Sequence, residues 1–173
     1  SAKFSYDSAG FLITKEFPPL LNALGDKTAN RATYVYDFCG RILEEIDPEG
    51  NVKKTAYNAN NQPIRIEYPD GGVKELLYNL DGTLNSSIDP EGLKTSFTYD
   101  LFGHQTSKIL SCSDKVVSRE TAEYNAFHLL VKTDPEGNRT IYHYDEAGRI
   151  AAVEFGEEIT RYSYDSLGCL NLE

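Results

Sequence analysis

Three histidines and three cysteines are the side chains best suited to acid–base, nucleophilic or metal chemistry in this sequence. They are His104, His128, His143, Cys39, Cys112 and Cys169. The spacings that build a zinc or protease site, Glu-x-x-His, His-x-x-x-His and Cys-x-x-Cys, do not occur. A Gly-x-Ser-x-Gly elbow and a phosphate-binding Gly-Lys-Ser/Thr loop are also missing. The sequence therefore predicts no catalytic residues, no metal ligands and no cofactor, and we expect the chain not to be an enzyme.

Acidic residues outnumber basic residues, 27 to 17, and the net charge is −10. An acidic chain is a poor candidate for binding the phosphate backbone of nucleic acids, because that binding depends on Lys and Arg. We therefore expect no nucleic-acid partner. The apolar runs fall short of the roughly 20 residues of a membrane span, and no signal peptide opens the chain. The acids do not follow the calcium-binding EF-hand spacing, and a lone Asp-Pro-Glu-Gly has too few converging oxygens for calcium. We expect the acidic residues to lie in solvated turns.

The organisation of the chain is set by tyrosines at regular intervals. They are Tyr6, Tyr36, Tyr57, Tyr78, Tyr99, Tyr124, Tyr144 and Tyr164, separated by 30, 21, 21, 21, 25, 20 and 20 residues. A period near 21 residues is the signature of a repeat protein. The sequence thus predicts a single array of eight repeats over residues 1–173, with insertions at about 14–30 and 110–121. We expect residues 17–25 in the first insertion to form a helical turn or a packed loop.

Each tyrosine begins a turn. The next residue is always Asp or Asn, whose side chain bonds the backbone two residues on. The residue four after the tyrosine is glycine in six repeats: Gly10, Gly40, Gly82, Gly103, Gly148 and Gly168. In the other two it is Asn61 and His128, residue types that tolerate positive φ. The pattern predicts a left-handed residue at this position, and we expect His128 to be one.

A second turn lies between successive repeats. Asp47-Pro48-Glu49-Gly50 recurs as Asp89-Pro90-Glu91-Gly92 and Asp134-Pro135-Glu136-Gly137, with the variant Tyr68-Pro69-Asp70-Gly71. Proline presets φ for the first central position of a turn, and glycine suits its exit. Between the turns, aromatic and aliphatic residues alternate as in strands. The predicted fold is all-β, an antiparallel β-hairpin repeat strip of roughly sixteen short strands in a curved or spiralling sheet, with the tyrosine rings packed as its core.

These features together resemble the Rhs/YD-repeat family. The resemblance rests on the repeated Tyr-Asp, the glycine followed by arginine at Gly40-Arg41 and Gly148-Arg149, and the Asp-Pro-x-Gly turns, and it covers essentially the whole chain. The residues that carry it are Tyr36, Asp37, Gly40, Tyr78, Gly82, Tyr99, Asp100, Gly103, Tyr144, Asp145, Gly148, Tyr164, Asp165 and Gly168, with Pro48, Gly50, Pro69, Gly71, Pro90, Gly92, Pro135 and Gly137 in the second turn. In that family, repeats form a β-strip that spirals into a hollow shell, in bacterial toxins around a toxic domain and also in the teneurin adhesion receptors. The chain has fewer repeats than such shells use, and the family's self-cleaving C-terminal core has no counterpart here.

The resemblance implies a segment of a longer, secreted or cell-surface protein. Its expected function is a non-catalytic scaffold that encloses or displays a toxin or effector domain, with neighbouring repeats or toxin cargo as partners. The alternative is an adhesion module that binds carbohydrate or a cell-surface protein through the tyrosine-bearing face. Open strand edges at the ends of the strip also predict edge-to-edge self-association. The cargo, the ligand and the full number of repeats do not follow from the sequence.

Overall fold

A computed structural model describes residues 2–21, 27–28, 30–113 and 115–171, and in this part of the chain it contains strands and turns but no helix. The strands are β1 (Lys3–Tyr6), β2 (Leu12–Glu16), β3 (Leu20–Leu21), β4 (Lys27–Thr28), β5 (Arg31–Tyr36), β6 (Ile42–Ile46), β7 (Val52–Tyr57), β8 (Pro63–Glu67), β9 (Val73–Tyr78), β10 (Leu84–Ile88), β11 (Leu93–Tyr99), β12 (Gln105–Cys112), β13 (Lys115–Tyr124), β14 (Leu129–Thr133), β15 (Arg139–Tyr144), β16 (Ile150–Phe155), β17 (Glu158–Arg161), β18 (Ser163–Tyr164) and β19 (Leu170–Asn171). The predicted all-β, antiparallel hairpin strip is confirmed. The curvature or spiral of the strip stays a prediction.

Fifteen strands form one sheet in which spatial order follows chain order, β1-β2-β5-β6 and onward to β17. The pairs β3–β4 and β18–β19 form separate two-stranded sheets. Sequential order is the simplest topology for an antiparallel sheet, because every connection is a hairpin. The residues divide into two compact units. The first unit contains residues up to Leu77 together with Ile88–Glu91, and the second contains Tyr78–Ser87 together with residues from Gly92 onward.

The two insertions lengthen or add hairpins. In the first, β3 pairs with β4, so Leu20–Leu21 is extended rather than helical; residues 22–25 of the expected helical turn or loop lie outside the described residues. In the second, β12 and β13 extend into a long hairpin, paired from Ser107–Thr121 to Cys112–Lys115.

The expected aromatic core is wrong. Among the described residues, only Ala32 and Ser86 are buried, at 8% and 6% exposed, and no large side chain is fully buried. The repeat tyrosines are half-buried, except Tyr6, which is 59% exposed. The physical reason is that the substantial contacts join strands that are neighbours in a sheet, and no second layer covers either face in the described residues. Stability therefore comes from contacts between adjacent repeats, as in other repeat proteins.

The two faces of the sheet differ in chemistry. Alternating side chains point to opposite faces, so the tyrosine and the residue two before it share one face. In the first unit the opposite face carries the closer cross-strand ion pairs: Lys54 Nζ lies 3.1 Å from a Glu44 oxygen, and Arg65 lies 3.0 Å from a Glu75 oxygen on the next strand and 3.0 Å from a Glu67 oxygen on its own strand. On the tyrosine face, Lys53 Nζ lies 4.0 Å from a Glu45 oxygen. Exposed pairs of this kind contribute about 0–1 kcal/mol each. Their value is to keep the opposite face soluble.

Candidate functional site

The hydroxyl group of the repeat tyrosine ties each repeat to the one before it. In five repeats this hydroxyl donates to the backbone carbonyl of the first residue of the strand that follows the preceding turn. The pairs are Tyr36–Leu12 at 2.9 Å, Tyr57–Ile42 at 3.1 Å, Tyr99–Leu84 at 3.0 Å, Tyr144–Leu129 at 2.8 Å and Tyr164–Ile150 at 2.9 Å. The recurrence makes this contact a structural element of the repeat.

The tyrosine hydroxyl closes the end of a strand pair that the backbone leaves open. Strands β14 and β15 meet at the Asp-Pro-Glu-Gly turn, and their register covers only the three pairs from Thr133–Arg139 to Val131–Ile141. Leu129, at the far end of β14, lies beyond that register, and its carbonyl accepts from Tyr144. The same three-pair register joins β2 to β5, β6 to β7 and β8 to β9. The side chain thus replaces a backbone hydrogen bond where neighbouring repeats separate.

The Asp or Asn after the tyrosine holds the turn closed. In the second repeat, Asp37 Oδ1 accepts from the backbone N–H of Cys39 at 2.9 Å and of Arg41 at 3.0 Å. The backbone closes the same turn twice, with Asp37 N–H donating to the Arg41 carbonyl at 2.9 Å and Gly40 N–H to the Asp37 carbonyl at 3.0 Å. Gly40 has φ +80°, a conformation that costs an L-residue strain. Asn61 holds the equivalent position in the third repeat at φ +62°.

The residue after the glycine position packs on the tyrosine of the next repeat. Phe11 stacks on Tyr36 with ring centroids 5.2 Å apart, His104 on Tyr124 at 4.7 Å, and His128 lies 4.3 Å from Tyr144. Two arginines lie over the next ring as cation–π pairs: Arg41 over Tyr57 at 5.1 Å and Arg149 over Tyr164 at 4.4 Å. This contact and the hydroxyl bond both connect successive repeats. We call the two together the inter-repeat tie.

The turn carboxylate orients the packing residue of the tie. Asp37 Oδ2 accepts from Arg41 Nε at 2.6 Å, Asp145 Oδ2 from Arg149 Nε at 2.8 Å, and His104 Nδ1 lies 2.8 Å from Asp100 Oδ2. A repeat with Asn in place of Asp makes the equivalent contact. In the fourth repeat, Asn79 Nδ2 donates to Thr83 Oγ1 at 2.8 Å. In the tie, the Asp or Asn side chain therefore orients the packing residue, the packing residue contacts the tyrosine ring of the next repeat, and that tyrosine's hydroxyl donates to the backbone carbonyl.

The ionisation of the tie groups reflects these bonds. The backbone N–H of Arg41 lowers the pKa of Asp37 most, and the Arg149 N–H does the same for Asp145. For Asp100, partial burial works in the opposite direction, but the hydrogen bonds from His104 outweigh it and the pKa is lowered. Partial burial raises the pKa of Tyr36, Tyr78, Tyr99 and Tyr144. Ionised aspartates and neutral tyrosines are thus the states that hold the ties.

The expectation that His128 occupies the left-handed position is wrong. Among the described residues only Asn61 and Ser113 have positive φ without being glycine. This turn is one residue shorter than the others, since Asn125 Oδ1 accepts from His128 N–H three residues on and β14 begins at Leu129. With no glycine position present, His128 takes the place of the packing residue, and its ring packs against Tyr144 in a tilted arrangement.

The proline turns use the same carboxylate geometry at the other ends of the strands. Asp47 Oδ1 accepts from the N–H groups of Glu49 and Asn51, both at 2.9 Å, and Asp47 Oδ2 accepts from Asn51 Nδ2 at 2.8 Å. Asp134 and Asn138 repeat this arrangement, with both bonds at 2.8 Å. The side-chain bond from Asn51 or Asn138 is the largest cause of the lowered pKa of Asp47 and Asp134. The turn glycines Gly50, Gly71, Gly92 and Gly137 have φ between +81° and +89°.

The six side chains suited to chemistry do not converge. His104 and His128 belong to ties, whereas His143 Nε2 lies 2.8 Å from Glu154 Oε1 on the ion-pair face. The three cysteines are exposed and unpaired. In the part of the chain that the structure describes, no group of three His, Cys, Asp or Glu could hold a metal ion, and no helix is long and apolar enough to cross a membrane.

Sequence reasoning missed the tie itself. It assigned the tyrosine ring to a core, whereas the hydroxyl makes the recurring bond. The signal that could have revealed the packing residue is the position five after the tyrosine, which holds a planar side chain at Phe11, Arg41, His104 and Arg149.

Comparison with known proteins gives both sequence and structural matches. The Teneurin YD-shell family model matches residues 1–172. Double-stranded DNA deaminase toxin A of Burkholderia cenocepacia (strain H111) is 32% identical over 155 residues, which cover 89% of this chain and 10% of that protein. A chain of the Photorhabdus luminescens Tc holotoxin pore matches with a TM-score of 0.55 at 16% identity, over 98% of this chain and 12% of that one. A chain of the TcdB2–TccC3 structure matches with a TM-score of 0.56 at 16% identity, over 98% of this chain and 13% of that one. This chain therefore spans about a tenth of the curated relative.

Proposed function

Because this chain belongs to the Teneurin YD-shell family, we propose that it is a non-catalytic structural scaffold, a segment of a repeat shell that encloses or displays a toxin or effector domain. The observation that carries the proposal is the inter-repeat tie. The tyrosine hydroxyls, the turn carboxylates and two of the three histidines all serve to hold one repeat against the next. The chemistry that recurs in the repeats is thus directed at building a continuous strip rather than at a substrate.

The matched proteins support a toxin context. The curated relative is named a double-stranded DNA deaminase toxin, and this chain spans only 10% of it. The matched solved structures are of a Tc holotoxin pore and of TcdB2–TccC3, in which the equivalent stretch is 12–13% of the chain. A scaffold stretch of this size leaves most of a longer polypeptide for further repeats and for a separate effector. In this proposal the protein is secreted or displayed at a cell surface.

The alternative, a carbohydrate-binding or protein-binding adhesion module, is supported less well by the tyrosine face. Sugar sites use an aromatic ring together with free polar groups. Five of the repeat hydroxyls already donate to backbone carbonyls, so they cannot also donate a hydrogen bond to a glycan. A glycan panel in a thermal-shift assay tests the alternative, since ligand binding to the native state must raise the melting temperature.

The scaffold proposal is tested on the longer polypeptide that carries this stretch. Mass spectrometry establishes its size, and limited proteolysis measures how accessible the domain beyond the repeats is. We expect that domain to be protected in the wild type and to become cleavable when Tyr57, Tyr99 and Tyr144 are all changed to Phe, which removes the three tie hydroxyls and keeps the rings. The matched control is the change of Tyr34 and Tyr142 to Phe, which removes two hydroxyls that make no hydrogen bond with described residues and should leave protection intact.

The results distinguish a shell that encloses the further domain from a scaffold that only displays it. A further domain that is equally accessible in the wild type and in the tie variant would overturn enclosure and leave display. A native polypeptide of about the length of this chain, with no further domain, would overturn both.

A further inference from the structure

A cavity between the first and second repeats brings four aromatic residues and two aspartates together. Its volume is about 360 Å³, within the range of about 300–1,000 Å³ that is typical of small-molecule sites. Its aromatic and acidic lining residues are Phe11, Tyr34, Tyr36, Phe38, Asp7 and Asp37. We call this cavity the aromatic pocket. It lies within the first compact unit.

The aromatic pocket is bounded by rings on the sheet and by one ring at a turn tip. Tyr34 and Tyr36 lie two residues apart on β5, so they share the tyrosine face. Phe11 stacks on Tyr36, with ring centroids 5.2 Å apart. Phe38 is 97% exposed at the tip of the turn after β5, and closure of that turn uses Asp37 and the backbone. Folding of the turn therefore does not require the ring of Phe38, which is free to contact a ligand.

Asp7 keeps one carboxylate oxygen without a partner. In the second, fifth and seventh repeats, a nitrogen of the packing residue lies 2.6–2.8 Å from the second oxygen of the turn aspartate; the pairs are Asp37–Arg41, Asp100–His104 and Asp145–Arg149. The packing residue of the first repeat is Phe11, whose side chain has no donor. Asp7 Oδ1 accepts from the N–H groups of Ala9 and Phe11, both at 2.9 Å, whereas Oδ2 has no partner among the described residues. The negative charge of Asp7 is thus left without a cation.

The charge of Asp7 acts within the aromatic pocket. Burial is the largest cause that raises the pKa of Tyr36, and the charges of Tyr34 and Asp7 raise it further. A negative charge that disfavours ionisation of the Tyr36 hydroxyl favours a cation at the same place.

Other repeats show how this chain holds a cation in such an environment. The guanidinium of Arg41 lies 5.1 Å from the ring centroid of Tyr57, and its Nε donates to Asp37 Oδ2 at 2.6 Å. Arg149 lies over Tyr164 in the same way, at 4.4 Å. Each cation is attracted both by the ring face and by the carboxylate. The first repeat has the rings and the carboxylate, but its own sequence supplies no cation to them.

The groups that line the aromatic pocket favour a quaternary ammonium over other cations. A guanidinium or a primary ammonium carries three or more N–H donors that need acceptors. Asp37 Oδ2 is already bonded to Arg41, so Asp7 Oδ2 is the carboxylate oxygen that remains. A quaternary ammonium has no N–H group, and aromatic rings attract its methylated surface. An additional phosphate or carboxylate on the ligand would be repelled by the two aspartates.

We propose that the aromatic pocket binds a small quaternary ammonium compound without an anionic group, of which choline is the simplest probe. The trimethylammonium group lies among the rings of Phe11, Tyr36 and Phe38, beside Asp7 Oδ2. The hydroxyl of Tyr34, which makes no hydrogen bond with the described residues, is available to the choline hydroxyl. This binding activity is separate from the scaffold function and does not depend on it.

Titration of the 173-residue chain with choline chloride, followed by amide NMR, tests the proposal. We expect saturable shift changes confined to residues 7–11 and 34–38. The neutral carbon isostere of choline, in which a tert-butyl group replaces the trimethylammonium group, should bind about tenfold more weakly because it has the same shape and no charge. Phosphocholine should also bind more weakly than choline.

Two variants change the charge of the pocket and keep the turn. Asp7→Asn retains the turn acceptor, since Asn holds this position in the third, fourth and sixth repeats, and should weaken choline binding about fivefold. Phe11→Arg supplies the internal cation that Arg41 and Arg149 supply in their repeats, and it should abolish choline binding. Circular dichroism checks that each variant folds.

A pair of matched variants tests the outer ring. Phe38→Ala should weaken choline binding several-fold. Phe127→Ala is the control, because it removes a phenylalanine that is 83% exposed on a turn tip outside the pocket, and it should leave binding unchanged.

Four results would overturn the proposal: no saturable shift with choline, equal binding of choline and its neutral isostere, choline binding that Phe11→Arg leaves unchanged, or tighter binding of phosphocholine or of a monosaccharide than of choline. The last result with a monosaccharide would assign the pocket to carbohydrate instead. Failure of the choline proposal leaves the scaffold proposal standing, because cargo protection is measured separately on the longer polypeptide.

Discussion

The hydroxyl of Tyr144 offers a direct measurement of what one inter-repeat tie contributes. Changing Tyr144 to Phe removes a single atom, the donor to the Leu129 carbonyl 2.8 Å away, and keeps the ring against His128. The matched control is Tyr142→Phe, on the same strand and the same face, whose hydroxyl makes no hydrogen bond with the residues that the structure describes. The two variants have the same composition and differ only in the tie.

The magnitude follows from the type of bond and its burial. A neutral intramolecular hydrogen bond contributes about 0.5–1.5 kcal/mol to stability. Tyr144 is half-buried, so water can partly replace the lost donor, and we expect about 1 kcal/mol for Tyr144→Phe and close to zero for Tyr142→Phe. Tyr144→Ala also removes about 100 Å² of buried ring surface, which at about 25 cal/mol per Å² adds roughly 2.5 kcal/mol.

The assay is urea unfolding, supported by amide hydrogen exchange of β14 and β15. With an m value of about 2 kcal/mol per molar, 1 kcal/mol moves the midpoint by about 0.5 M. Because repeats contact only their neighbours, exchange should accelerate most in these two strands. If Tyr144→Phe and Tyr142→Phe have the same midpoint and the same exchange pattern, the tie contributes nothing and our reading of the repeat tyrosine fails.

Three further predictions concern the turns, the register and pH. Gly40→Ala should destabilise the chain by about 2–4 kcal/mol and Gly103→Ala by about 1–2 kcal/mol. Both glycines have a left-handed backbone, but only a Cβ at Gly40 would meet the Phe11 ring, at 2.5 Å. Equal urea midpoints for the two variants would contradict the Phe11 contact. His128→Gly should lower stability by about 1 kcal/mol through loss of the ring contact with Tyr144, whereas a stabilised variant in the same denaturation assay would restore His128 to the left-handed position. The turn aspartates have a folded pKa below the ordinary 3.8, so the stability they contribute is present above that pH and is lost as pH falls further. Four repeat tyrosines have a folded pKa above the ordinary 10.0, so their contribution is present below pH 10 and is lost as pH rises through the folded value; a urea midpoint that does not change in either window would contradict these assignments.

Local features of this protein were predictable from the sequence. The Asx residue after each tyrosine, the glycine four residues after it and the Asp-Pro-Glu-Gly turns each act over five residues or fewer, so the residue types alone indicate the turn. Asn61 illustrates this, because its replacement of glycine predicts the φ of +62° that the structure shows. Because the two turn types are separated by short stretches of alternating residue types that form strands, the sequence also predicts an antiparallel meander.

The short turn at His128 shows where local reasoning stops. Counting four residues from Tyr124 places His128 at the glycine position, but a turn that is one residue shorter moves it to the packing position. The count is identical in the two cases. The φ of His128, the shorter turn bond to Asn125 and the contact with the Tyr144 ring distinguish them in the structure.

The repeat, the turns and the strand order could all be predicted from the amino-acid sequence, because these features depend on backbone preferences within a few residues. The tertiary structure decided what the tyrosines do. A ring that recurs on one face predicts burial, yet a sheet with no covering layer in the described residues leaves these rings half-exposed. The hydroxyl finds its acceptor 14 to 24 residues away, at a strand end that the backbone register does not reach. That meeting depends on how adjacent hairpins separate, which is a property of paired strands and not of any one segment of the chain.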